Sequence, residues 1–129
     1  MKITSIVARY LLALMFTVFG LNGFLHFIPQ PPPPNPVAIQ FLVAVSASHF
    51  AAFFFALQVL GGLLLFSGFF VPLALTVLAA EIYNILAFHL TMAPASIAPA
   101  LVASVLWVLV FLQYRANFKG IFSAKPATM

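Results

Sequence analysis

The sequence contains no cysteine and a single acidic residue, and charged side chains make up only 5% of its 129 residues. Without cysteine there are no disulfides, no thiol nucleophile and no thiolate-ligated metal or iron–sulfur centre. With Glu81 as the sole carboxylate side chain, no pair of acids exists to act as general acid and base. Soluble domains carry roughly 25% charged residues, and small ones leave much of their surface in water. A chain that is 65% hydrophobic has too little polar surface for that, so lipid is expected to cover it. Also absent are a GxGxxG loop, a P-loop, a G-x-S-x-G elbow and an HExxH helix. Any chemistry would come from a bound cofactor, and the chain is not expected to be catalytic alone.

The few charges that are present mark the ends. Lys2 and Arg9 precede the first apolar run, and Arg115, Lys119 and Lys125 follow the last; between Tyr10 and Tyr114 only Glu81 is charged. The cations form no face with interleaved aromatics, which argues against nucleic acid as a partner. Basic residues flanking apolar spans read as cytoplasmic anchors. The apolar run from Tyr10 to Ile28 exceeds the about 7–15 residues of a signal-peptide core and lacks a small-x-small cleavage site, so it is expected to stay as a first helix.

A spanning helix needs about 20 largely apolar residues. Four segments qualify, at about 5–28, 50–70, 71–90 and 97–114, within one transmembrane domain covering 1–129. Pro29 and the run Pro31 to Pro34 end the first and form a stiff, polyproline-like connector. Residues 37–48 are apolar but too short to cross, and predict a re-entrant or interfacial helix. The expected fold is all-α, an integral membrane four-helix bundle. An even number of crossings places both ends on one side, and the basic residues make that side the cytoplasm. Small residues recur at Gly20 and Gly23, Gly61 and Gly62, Ala79 and Ala80, and Ala100 and Ser104, as seams for close helix packing.

Polar residues inside the spans are the candidate site. Gln58 and Glu81 fall near the middle of neighbouring antiparallel helices, and Asn84 lies three residues from Glu81, which predicts a Gln58–Glu81–Asn84 hydrogen-bonded cluster. An ionised carboxylate there costs several kcal/mol, so Glu81 is expected to be protonated or tightly hydrogen-bonded. It reads either as a proton relay or ligand group, or as polar glue between helices. His26, His49 and His89 all fall at the opposite end from the basic residues. They are candidate ligands for haem iron or a metal, although none shows close ligand spacing within a helix and interfacial hydrogen bonding is the alternative. Trp107, in mid-span, is a candidate for stacking on a flat ligand or for packing against small residues.

Three stretches resemble the DoxX family of small bacterial membrane proteins: ARYLLALMFTVFGLNGFLHFIP, QVLGGLLLFSGFFVPLAL and YNILAFHL. The first is similar to the family's opening helix, the second to its glycine-rich second helix and short turn. The third matches an Asn-Ile-x-x-x-His-Leu stretch of the subgroup with a proline-rich first loop. The resemblance departs at Gln58, where many members carry glutamate, and at Glu81, where relatives are usually apolar. It implies a multi-pass protein of the bacterial cytoplasmic membrane. The family's name derives from a terminal quinol oxidase and thiosulfate:quinone oxidoreductase system. The role it implies is an accessory or stabilising subunit of a membrane redox or respiratory complex, partnered by lipid and by other membrane subunits or further copies. The alternatives are a haem- or quinone-binding redox protein and a small-molecule or proton carrier centred on Glu81.

Overall fold

The computed structural model describes residues 2–129. Five α-helices follow one another: α1 (Lys2–Leu25), α2 (Pro36–Ala47), α3 (Phe50–Ser67), α4 (Val71–Met92) and α5 (Ala98–Tyr114). Short 3₁₀ turns lie at Pro94–Ser96 and Arg115–Phe118, and no strand occurs among the described residues. Four helical segments, Lys2–Leu25, Phe50–Ser67, Val71–Met92 and Ala98–Phe118, are long and apolar enough to cross a membrane. At 1.5 Å per residue they measure roughly 27–36 Å, against about 30 Å of bilayer hydrocarbon. By the same rise α2 reaches only about 18 Å.

The long helices neighbour one another in the order α1–α3–α4–α5, with α5 returning to α1; α2 rests outside, against α3 and α4. The closest approach is between α1 and α3, and glycines make it. A Cβ at Gly62 would lie 2.8 Å from the Thr17 backbone nitrogen and 3.0 Å from the Ala13 carbonyl. On the facing helix a Cβ at Gly20 would lie 3.0 Å from the Val59 nitrogen. Here the two backbones themselves are in contact, which only a missing side chain permits. Away from these seams, Leu14, Phe53, Leu63, Leu73, Tyr83 and Val105 are exposed along the helices.

One end of the helices carries both termini and is filled. Leu12, Leu65, Val71, Leu75, Leu78 and Val110 are fully buried there. Phe118 folds back beneath them, its ring 5.1 Å from that of Phe111. The turn from α3 to α4 closes this end. Gly68 (φ 76°) and Phe70 (φ 55°) take left-handed backbone conformations, and Gly68 N–H bonds to Leu64 O at 3.1 Å. Glycine adopts that conformation without steric cost.

Helix ends differ from the sequence expectation where local capping intervenes. The first helix was expected to reach 28, with proline as the stop; it ends at Leu25. Asn22 is the cause: its carbonyl takes the His26 N–H at 2.8 Å, and its side-chain oxygen takes the Ile28 N–H at 2.7 Å. Likewise α3 ends at Ser67 rather than 70, because the left-handed turn begins there. The short helix starts at Pro36, capped by Asn35, whose side chain accepts from Val37 N at 2.9 Å. Proline suits the first helical turn because its missing N–H would be unpaired there in any case.

Candidate functional site

The end away from the termini is hollow. A cavity of about 650 Å³ opens between α1, α3, α4 and α5, roofed by the proline-rich segment Gln30–Asn35 and by Ala93–Ser96. Phe16, Phe19, Ile85 and Phe88 form its walls, and Ala100 and Ala103 leave it room. Among the described residues, no charged side chain lines it. Among its polar groups, Gln58 is in contact from α3 and His89 from α4. A smaller pocket of about 200 Å³ lies behind His89, between α2, α3 and α4.

Gln58 and Glu81 face each other across the α3–α4 contact. The register is set one turn away, where Gly61 lets Leu78 approach; a Cβ at Gly61 would lie 2.7 Å from a Leu78 methyl. Moving one turn toward the hollow end on each antiparallel helix brings Gln58 beside Glu81. Gln58 is 4% exposed and Glu81 3%. The amide is close enough to interact with the carboxyl, yet the Glu81 Oε2 atom is buried without a hydrogen-bond partner.

Asn84 does not join them. Its side chain is exposed, donates to the Ala80 carbonyl at 2.9 Å, and borders the smaller pocket against α2. Three residues along a helix leave a side chain roughly 60° around the axis from its starting face. That offset carries Asn84 past the α3–α4 contact, so the expected cluster of three is a pair.

The histidines separate in the same way. His26 (φ 53°) and His49 (φ 62°) are exposed residues in left-handed backbone at helix junctions. Histidine tolerates that region better than most residues, and both serve as turn residues. Among the described residues, no group of three His, Cys, Asp or Glu is placed to hold a metal ion.

His89 alone of the three lines the cavity. Its Nδ1 lies 2.8 Å from the Ile85 carbonyl. A carbonyl can only accept, so Nδ1 carries a proton, and in the neutral ring Nε2 then keeps its lone pair. The neighbouring Phe88 ring meets the imidazole edge-on, with centroids 5.1 Å apart.

Trp107 is engaged elsewhere. Its Nε1 donates across the interface to the Leu75 carbonyl at 2.9 Å, and its ring stacks on Phe111 at 5.1 Å and 9°. Phe111 occupies one indole face, and Trp107 is not among the residues that line the cavity.

Arg9 has a structural use that its sequence position does not reveal. Its guanidinium donates to the Leu65 carbonyl near the C-terminal end of α3, and lies 4.7 Å from the Tyr10 ring centroid. A cation there meets unpaired carbonyls and the negative end of the helix dipole. An arginine early in the first span, at the depth of a Ser-Gly turn between two later spans, was the signal available.

Set against models of known protein families, against curated proteins and against solved structures, the chain matches none of them.

Proposed function

We propose that this chain is a DoxX-like, multi-pass protein of the bacterial cytoplasmic membrane, an accessory subunit of a redox assembly whose own contribution is to hold a small apolar molecule. The cavity carries this reading. About 650 Å³ of space lined by aromatic and aliphatic side chains, with a few polar groups, matches the size and chemistry of small-molecule sites between bundle helices. The accessory role rests on the resemblance of the three sequence stretches.

The four apolar helices cross the bilayer, with both chain ends in the cytoplasm beside Lys2, Arg9, Arg115, Lys119 and Lys125. The helix α2, uncharged and largely exposed, rests in the outer leaflet as an interfacial element. That topology places the cavity mouth at the outer side, and Glu81 beneath its floor.

Purification from native membranes in mild detergent, followed by solvent extraction and mass spectrometry, tests the reading. The wild-type protein should carry a stoichiometric apolar compound, and Ala103→Trp, which fills the cavity from α5, should lose it. Identical extracts from the two proteins would rule the reading out.

A further inference from the structure

The polar groups of the cavity restrict what it can hold. We infer that its ligand is a neutral, mostly apolar molecule bearing a hydroxyl group, an alcohol or phenol, that donates a hydrogen bond to His89 Nε2. This inference rests on the cavity being a binding site, as proposed above.

Charge argues first. Among the described residues, no lysine, arginine, aspartate or glutamate borders the space. Arg9 is spent at the filled end on the Leu65 carbonyl. A ligand carboxylate or phosphate would therefore enter an apolar chamber with no cation to meet it, and would approach Glu81 behind Gln58. Removing an ion from water without a partner is heavily unfavourable. Neutral molecules remain.

The imidazole argues next. The Nδ1–H···O bond to Ile85 fixes the ring's tautomer and its direction along α4. What it leaves toward the cavity is an acceptor, not a donor. At Nε2 a ligand carbonyl or ether oxygen finds no donor, whereas a hydroxyl finds an acceptor. Helical side chains lean toward their own N-terminus, so His89 leans inward from the mouth and Gln58, on the antiparallel helix, leans outward from the floor. They lie roughly 12 Å apart along the axis by backbone rise, and both lean into the same chamber. The aromatic walls at Phe16, Phe19 and Phe88 suit a ring or chain beneath the hydroxyl.

Binding of para-octylphenol and of its methyl ether to the protein in lipid nanodiscs tests this. The two probes share shape and apolar surface, and differ in the hydroxyl donor. The phenol should bind about tenfold more tightly, the value of one hydrogen bond in an apolar site. In His89→Phe the phenol should fall to the level of the ether, while Ala103→Trp should abolish both. Equal binding of the two probes by the wild-type protein, still lost in Ala103→Trp, would overturn the hydroxyl assignment and leave the cavity reading standing. No binding of either probe, or binding indifferent to Ala103→Trp, would remove the cavity reading and the inference with it. Tighter binding of para-octylbenzylamine than of the phenol would assign the ligand a cation and Glu81 its counter-charge, against this proposal. A Soret band on adding hemin, lost in His89→Phe, would give Nε2 to iron instead. Should His89→Phe fail to fold, the phenol-to-ether ratio in the wild-type protein decides the matter.

Discussion

The two ends of these helices are built from similar residues and put them to opposite uses. At the terminal end Leu12, Leu65, Leu75 and Val110 are fully buried against one another, and Phe118 folds back at the base. At the other end the same helices stand around a chamber of about 650 Å³. Small residues appear in both settings. Gly62 and Gly20 bring α1 and α3 into backbone contact, while Ala100 and Ala103, on α5, border the chamber and fill little of it. In lipid, where burying apolar surface brings helices little, close packing is the main attraction between them. A bundle that needs both cohesion and a vacancy must therefore place them apart, and this one does so along its axis.

The contrast is broken most directly by exchanging volume at the two ends. Leu75→Ala, in the filled end, should cost about 2–4 kcal/mol, as buried leucine truncations do. Ala103→Leu adds similar volume at the hollow end and should cost less than about 1 kcal/mol, since its side chain enters free space rather than occupied space. Denaturant titration in detergent, followed by fluorescence of the single tryptophan, Trp107, reads both. Equal costs would mean that the chamber is not a real vacancy. Next in size is Gly62→Ala. A methyl group there meets the Thr17 and Ala13 backbone of α1, which cannot move like a flexible side chain, so about 1–3 kcal/mol should be lost to over-packing. An unchanged midpoint would show that the α1–α3 contact tolerates separation and does not hold the bundle together.

The four long helices were legible in the sequence because length and apolar content are properties of a segment by itself, and their ends were less so. Asn22 ends α1 through a side-chain bond to a residue beyond the helix, and nothing in apolar patterning reports such a bond. The pairing of Gln58 with Glu81 could be read, since both lie at mid-span on helices joined by a short turn. Asn84 could not be placed by spacing alone, because a rotation of roughly 60° on a crowded helix decides between interface and surface. The histidines were grouped by depth, and depth says nothing of direction. Two of them turned out to be left-handed turn residues, a role that depends on backbone geometry. Arg9 was read as an anchor from its charge, whereas its bond to Leu65, far along the chain, is a tertiary contact.

Arg9 allows the filled end to be examined through its electrostatics instead of its volume. Arg9→Met keeps much of the apolar stem and removes the guanidinium that caps α3. The loss should be about 1–2 kcal/mol, the range for a charged group at a helix C-terminus in a partly buried setting. Protection of the α3–α4 turn against hydrogen exchange should fall at Gly68 and its neighbours, while exchange around the chamber stays as it was. If exchange rose equally at both ends, the two halves would be one cooperative unit and the axial division of labour would not hold.

The smallest effect is expected at His26, and it bears on what a histidine at the hollow end is for. The residue sits at φ 53° with its side chain exposed. A side chain in left-handed backbone is strained by roughly 1 kcal/mol relative to glycine, although histidine suffers less than most residues. Glycine also gives the unfolded chain more freedom, which offsets part of the relief. His26→Gly should thus leave the protein about 0.5 kcal/mol more stable or unchanged, and should retain whatever apolar compound co-purifies with the wild-type protein. His89→Phe, by contrast, removes an imidazole that lines the cavity. If His26→Gly instead lost a compound that the wild-type protein carries, the imidazole itself would be contributing at the mouth. The chamber would then extend past its proline-rich roof, and depth along the helices would be a better guide to the site than the direction in which each histidine points.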